Sequence, residues 1–256
     1  MSFDNCLAEL RSRALLPHGM KSVFVGGSLV RGWGNVTSDL DVYIITSEPW
    51  SGPTVGTQVV ALDPDAIPVE TFYIDGQRWD VEYWLESQVD QLLGKVRWPD
   101  EGETTEVVSG MNFCEKDFLE RIGHGVPLHG ADWLERTRKA VEESAFRFLM
   151  AAWMLNTADN YVEDAAGQLK SGDIESAVLS ARIAFGFTVD ALMCSVGETG
   201  QNPKWRARRV RESALEALPF EAYWAVETMR DLPQGAEQWV ESVLMLCKRL
   251  SLEVGA

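Results

Sequence analysis

"FVGGSLVRGWGNVTSDLDVYIIT", residues 24–46, runs from an apolar strand-like segment through Gly26-Gly27-Ser28 to an Asp-Leu-Asp step and a second apolar run. Residues two apart on a strand point to the same face. Asp39 and Asp41 therefore stand together, while Leu40, Val42 and Ile44 point the other way. Two anions this close repel each other, and burying them unpaired is costly. The stretch calls for a cation. Glycines at Gly26 and Gly27 let the backbone approach a ligand closely, and the helix start expected over residues 28–33 offers free N–H groups to a phosphate. With anion donors on one side and paired carboxylates on the other, Mg²⁺ is the natural bridge, because it takes carboxylate and phosphate oxygens together. Two such ions can activate an attacking oxygen and stabilise departing pyrophosphate in an in-line displacement.

Working outward, Phe3, Leu7, Leu10 and Ala14 recur at helical spacing before Pro17. "KSVFVGG" reads as a short buried strand and "DLDVYIIT" as the next. A Pro- and Gly-rich loop follows, with a short strand at Val59 to Leu62. "ETFYIDGQRWDVEYWL" is a hairpin, since Asp75-Gly76 is a preferred two-residue turn between alternating segments. A helix is expected from Glu86 to Val96, then a Gly/Glu/Thr-rich connector around residues 99–110, then a short helix and a turn in "CEKDFLERIGHGVPLHG". Beyond Asp132 the chain reads as helix: 133–165, 173–197, 205–217, 219–230 and 236–252, with Asp173 as an N-cap and Gly197 as a stop. The expected organisation is an α+β domain over residues 1–125 and an all-α helical bundle over 126–256.

Composition narrows the function classes. The 256 residues carry 39 acidic against 23 basic side chains, a formal charge of −16, which argues against a nucleic-acid backbone or an anionic membrane as partner. The hydrophobic fraction of 46% with ten tryptophans supports a sizeable core. The four cysteines are far apart, with no metal spacing, as in a reduced cytoplasmic protein. No leader pattern and no run of 18 apolar residues is present, so a cytoplasmic location without a membrane span is expected. The sequence contains no G-x-x-x-x-G-K-[ST], G-x-S-x-G or H-E-x-x-H, and His18, His124 and His129 lie in expected turns.

"GGSLVRGWGNVTSDLDVYI" resembles the signature of the DNA polymerase β-like nucleotidyltransferase superfamily: Gly-Ser, about ten residues, then Asp-x-Asp, with Ser38 in its usual place before the first aspartate. The resemblance spans about residues 23–85. It implies a mixed-sheet nucleotidyltransferase domain in which Asp39 and Asp41 hold two Mg²⁺ ions and Gly27, Ser28 and Ser38 line the site of an NTP, with ATP the first choice. It also implies a third carboxylate on a neighbouring strand. "RWDVEYW" offers Asp80 and Glu82 on one strand face, so alternation alone cannot choose between them. The shorter side chain fixes a metal or base more rigidly, which favours Asp80 as third ligand and leaves Glu82 to hold an acceptor group or to support a neighbouring side chain of the site. The helical half is similar in kind to that of the aminoglycoside and related small-molecule nucleotidyltransferases.

"KWRARRVR", residues 204–211, is the densest basic run in this acidic chain, and Lys204, Arg208 and Arg211 share one helix face. Two readings stay open. The run clamps a triphosphate or anionic acceptor, with Lys204 and Arg208 as candidates, or it is a solvated face pairing with Glu198, Glu212 and Glu216. The function expected is transfer of a nucleoside monophosphate from an NTP to a hydroxyl or amine of a small molecule. The alternative is an antitoxin-like or regulatory relative that modifies a protein side chain or only binds nucleotide. A template-dependent polymerase or tRNA end-processing enzyme fits poorly with the charge, as such enzymes need a basic track.

Overall fold

A computed structural model of the chain describes residues 3–99 and 110–254. The connector expected at 99–110 lies, but for its ends, outside them. Two compact units divide at Ala145/Phe146, twenty residues beyond the expected boundary at 125.

The first unit orders α1 (Cys6–Ser12), β1 (Met20–Gly26), α2 (Gly27–Val30), β2 (Leu40–Thr46), β3 (Gly56–Val59), β4 (Ala66–Ile74), β5 (Gln77–Leu85), α3 (Glu86–Lys95), α4 (Phe113–His124), β6 (Val126–His129) and α5 (Ala131–Glu143). The strands form one six-stranded sheet in the order β3-β4-β5-β2-β1-β6. β2 and β5 run parallel; the other neighbours are antiparallel. Alternation divides the sheet cleanly. Val23, Val25, Leu40, Val42, Ile44, Trp79, Val81 and Tyr83 face one core, joined by Cys6 and Leu10 of α1. The opposite face carries Phe24, Tyr43 and Trp84, on which Phe118 of α4 stacks, 3.9 Å from Trp84 and 5.8 Å from Tyr43 between ring centroids. That second face also carries Asp41, Asp80 and Glu82.

The β4–β5 hairpin turns through Asp75-Gly76, both at positive φ (49° and 83°), as the dipeptide demands. β3 lies at Gly56–Val59 rather than Val59–Leu62. The turn expected in "GHGVPLHG" contains a sixth strand, β6, which pairs with β1 alone. An edge position leaves Pro127 free of any need to donate to a second ladder. α5 ends at Ser144, where the backbone turns extended, and the Ala145 N–H donates to the Val96 carbonyl (2.8 Å). The single helix expected over 133–165 is thereby split in two.

The second unit contains α6 (Phe146–Ser171), α7 (Ile174–Ser195), a 3₁₀ turn (Pro203–Trp205), α8 (Arg206–Ser213), α9 (Phe220–Glu227) and α10 (Ala236–Ser251). Asp173 caps α7 by accepting from the Ser176 N–H (3.2 Å). Ala165, Ala177, Ala181 and Ala184 are all fully buried in its core, small side chains that let α6 and α7 pack closely. By length and composition α7 could cross a membrane, but 78% of its apolar window is buried inside the structure, the setting of a core helix.

Candidate metal centre

The β1–β2–β5 register builds the site. Asp41 stands opposite Gly26 on one side and opposite Asp80 on the other. Asp39 precedes β2 in a loop closed by a reciprocal turn. The Asn35 N–H donates to the Ser38 hydroxyl (2.9 Å), and the Thr37 N–H and hydroxyl both donate to the Asn35 side-chain carbonyl (2.9 and 2.8 Å). Ser38 thus shapes the loop that presents Asp39. Carboxylate oxygens of Asp39, Asp41 and Asp80 all lie within 4.8 Å of one another. Opposite ligands of an octahedral Mg²⁺ are roughly 4.2 Å apart for bonds of about 2.1 Å. A small contraction would close the three oxygens on one ion. The donor set is all oxygen, the preference of a hard cation.

Gly27 explains part of the geometry. It sits at φ +76°, and a Cβ there would lie 1.9 Å from Asp41 Oδ2. The glycine is needed for the carboxylate as well as for the turn. Gly26 is glycine for another reason: a Cβ would meet the Tyr43 ring at 2.8 Å and the Arg121 side chain at 3.3 Å. Ser28 follows at the start of the four-residue α2, and its carbonyl accepts from the Trp33 N–H (2.9 Å).

Asp80 and Glu82 have different surroundings. Asp80 Oδ1 accepts from the hydroxyl of Thr71, its cross-strand neighbour, at 2.7 Å and from Arg78 Nε at 3.0 Å, while Oδ2 lies 2.9 Å from an Arg78 terminal nitrogen. One acceptor position on Oδ2 remains open. Glu82, two residues along, has both oxygens bound within the sheet, by the side-chain amide of Gln58 (3.0 Å) and the indole N–H of Trp84 (2.9 Å). The structure brings Asp39, Asp41 and Asp80 together and leaves Glu82 outside that cluster.

Burial dominates the electrostatics of the site. Burial pushes Asp41 from 3.8 up to about 7; the Arg121 charge opposes the shift, and Asp39, Glu82 and Asp117 add to it. Burial also raises Glu82, against the hydrogen bonds from Trp84 and Gln58. Asp117 and Arg121 are neighbours that the sequence reading passed over. α4 is fixed at its start by a capping box between Asn112 and Glu115, whose carboxylate also accepts from the Ala61 N–H and from Lys95. One turn on, Arg121 Nε donates to Asp117 (3.0 Å) across an i,i+4 step. The spacing was visible in "DFLER"; its nearness to Asp41 was not.

In the second unit the basic run divides by face. Arg206 and Arg209 turn inward onto Asp190 of α7, with Arg206 Nε at 3.0 Å and terminal nitrogens at 2.7 and 3.0 Å; Arg209 also donates to the Gly200 carbonyl. Arg206 also reaches Glu227 at 3.8 Å, so the inward half of the run is held by Asp190 and Glu227. Lys204 and Arg208 remain exposed, each over the Trp205 ring, 5.6 and 5.7 Å from its centroid.

No protein-family model matches the sequence, and no curated protein matches it. Among solved structures, a nucleotidyltransferase-like protein from Exiguobacterium sibiricum 255-15 is similar in fold: TM-score 0.53 over 98% of this chain and 75% of that one, at 11% identity. The chain has a nucleotidyltransferase-like fold, an α+β unit followed by a helical one, and carries an aspartate triad able to hold a metal ion.

Proposed function

We propose that the chain is a Mg²⁺-dependent nucleotidyltransferase that moves a nucleoside monophosphate from an NTP, ATP first, to a hydroxyl or amine of a small molecule, releasing pyrophosphate. The observation that carries this is the convergence of Asp39, Asp41 and Asp80 beside a Gly-Gly-Ser turn on a nucleotidyltransferase-like fold. Asp39, Asp41 and Asp80 would hold the metal. Bound there, Mg²⁺ would neutralise charge on the phosphates and on the displaced pyrophosphate. Thr71 and Arg78 fix the carboxylate plane of Asp80, and its open Oδ2 position suits a metal bond or the proton of the attacking group. Gly27 keeps the approach to Asp41 clear, and Ser28 lies next to it for a phosphate oxygen. Lys204 and Arg208, exposed beside Trp205, are available to an anionic ligand. We place the reaction in the cytoplasm, with no nucleic acid and no membrane as partner.

The test is pyrophosphate release from each of four NTPs with a library of amine and hydroxyl acceptors, with and without Mg²⁺. Release that needs both metal and a small acceptor, and that is lost in Asp39→Asn and Asp41→Asn, is the result expected. Release only with a protein acceptor would move the assignment to protein modification, and nucleotide binding without release would make the chain a regulator.

A further inference from the structure

The phosphate side of the proposed site needs a cation, and the first unit supplies one that no motif announces. The stem of Arg121 lies over Gly26, where the Gly-Gly-Ser turn begins: its Cδ lies 3.3 Å and its Cβ 3.4 Å from where a side chain there would start. Its Nε is tied to Asp117 at 3.0 Å. Glu120 Oε2 stands 3.7 Å from the same nitrogen, beyond hydrogen-bonding reach, and Glu120 Oε1 is already taken by Arg31 at 3.0 Å. Among the described residues, no hydrogen bond reaches the two terminal nitrogens of Arg121.

Other cations of this unit near the triad are committed. Arg78 grips Asp80 through two nitrogens. Arg31 is paired with Glu120 and stacked 3.7 Å over the Trp33 ring. Arg121 differs in being anchored by the inner nitrogen alone. A guanidinium held at Nε is fixed in plane, and its outer edge keeps the paired N–H geometry that matches two oxygens of a phosphate.

We propose that Arg121 binds the β- or γ-phosphate of the nucleotide, its terminal nitrogens chelating two non-bridging oxygens beside Gly26-Gly27-Ser28 while Asp117 sets the plane of the fork. The assignment rests on the nucleotidyltransferase reading and adds to it a residue from α4. The surrounding carboxylates explain why the cation is held so firmly. A metal held by Asp39, Asp41 and Asp80 would remove most of their repulsion toward a triphosphate, leaving Arg121 free to attract it.

The experiment is calorimetric titration of the full chain with inorganic tripolyphosphate and with a non-hydrolysable ATP analogue, both in Mg²⁺, alongside Mn²⁺ titration without nucleotide. In Arg121→Gln the affinity for both phosphate ligands should fall about tenfold or more, the size of a lost charge-assisted chelate. Mn²⁺ affinity should stay within about twofold, and Arg121→Lys should recover part of the loss as a point charge. Arg121→Lys also covers the case in which the glutamine variant fails to fold: it should bind tripolyphosphate more weakly than the wild type while melting at a similar temperature. Wild-type affinity for tripolyphosphate in either folded variant would overturn the proposal and leave the nucleotidyltransferase reading standing. Absence of binding of both phosphate ligands to the wild-type chain would remove both.

Discussion

At Gly27 a conformational demand and a steric one coincide. The left-handed backbone disfavours any side chain, and the space a Cβ needs is occupied by the Asp41 carboxylate. Gly32, just past the other end of α2, provides the contrast: its φ is +68°, but nothing lies within 4 Å of where its Cβ would be. Both alanine substitutions should cost about 1–3 kcal/mol of stability from backbone strain. Only Gly27→Ala should also displace Asp41 and weaken Mn²⁺ binding tenfold or more. Urea unfolding and metal titration of the two variants separate these effects, and equal metal affinities would mean that the carboxylate does not depend on Gly27. The glycines were legible in the sequence as a tight turn between strand and helix. That the first obstacle is a carboxylate was not, since it depends on the register pairing Gly26 with Asp41.

Asp41 carries a second residue-scale consequence. With its folded value raised from 3.8 to about 7 by burial, the folded chain binds more protons than the unfolded chain between those pH values. The stabilisation is complete below about 3.8 and is lost as pH rises through about 7. In metal-free buffer, unfolding free energy should therefore decline from pH 5 to pH 8 in the wild type and decline less in Asp41→Asn. Urea titrations at the two pH values measure the difference. A wild-type slope no steeper than that of Asp41→Asn would contradict the assigned burial of this carboxylate.

At the scale of elements, β5 decides between two acids of the same strand face. Their separation along the strand is about 6.6 Å at 3.3 Å per residue, and the parallel register with β2 puts Asp80, not Glu82, beside Asp41. Asp80→Asn should lower kcat by about two orders of magnitude or more with little change in NTP binding, because metal alignment matters most in the transition state. Glu82→Gln should leave Mn²⁺ affinity within about twofold and act through the Gln58 and Trp84 contacts on β3 and β5. A reversed pair of phenotypes would move the third ligand to Glu82. The β4–β5 hairpin was legible because Asp-Gly carries its own turn geometry. β6 was hidden by Pro127 and its flanking glycines, and the α5–α6 break by the absence of either: the Ala145 N–H leaves the helix for a carbonyl 49 positions earlier in the chain, at Val96. Partners that distant leave no local pattern.

Over the whole molecule, the sequence conveyed two units and the ends of α7, because alternation gives way to helical periodicity and because Asp173 and Gly197 punctuate that helix. The boundary fell later, since β6 joins the sheet of the first unit and α5 packs on β1. The basic run was legible as a charge feature, but its inward half depends on Asp190, a buried acid on another helix. Removing that acid would take a carboxylate from two arginines at once, leaving Arg206 to Glu227 and Arg209 to backbone carbonyls. The claim on which the functional reading depends is simpler: three aspartates gathered from a loop and two strands form one metal centre. Titration of the full chain with Mn²⁺, followed by electron paramagnetic resonance without nucleotide, tests it directly. The wild type should bind Mn²⁺, and Asp39→Asn, Asp41→Asn and Asp80→Asn should each weaken that binding tenfold or more in a chain that still folds. Binding of the same strength in all four proteins, or no binding in the wild type, would contradict it.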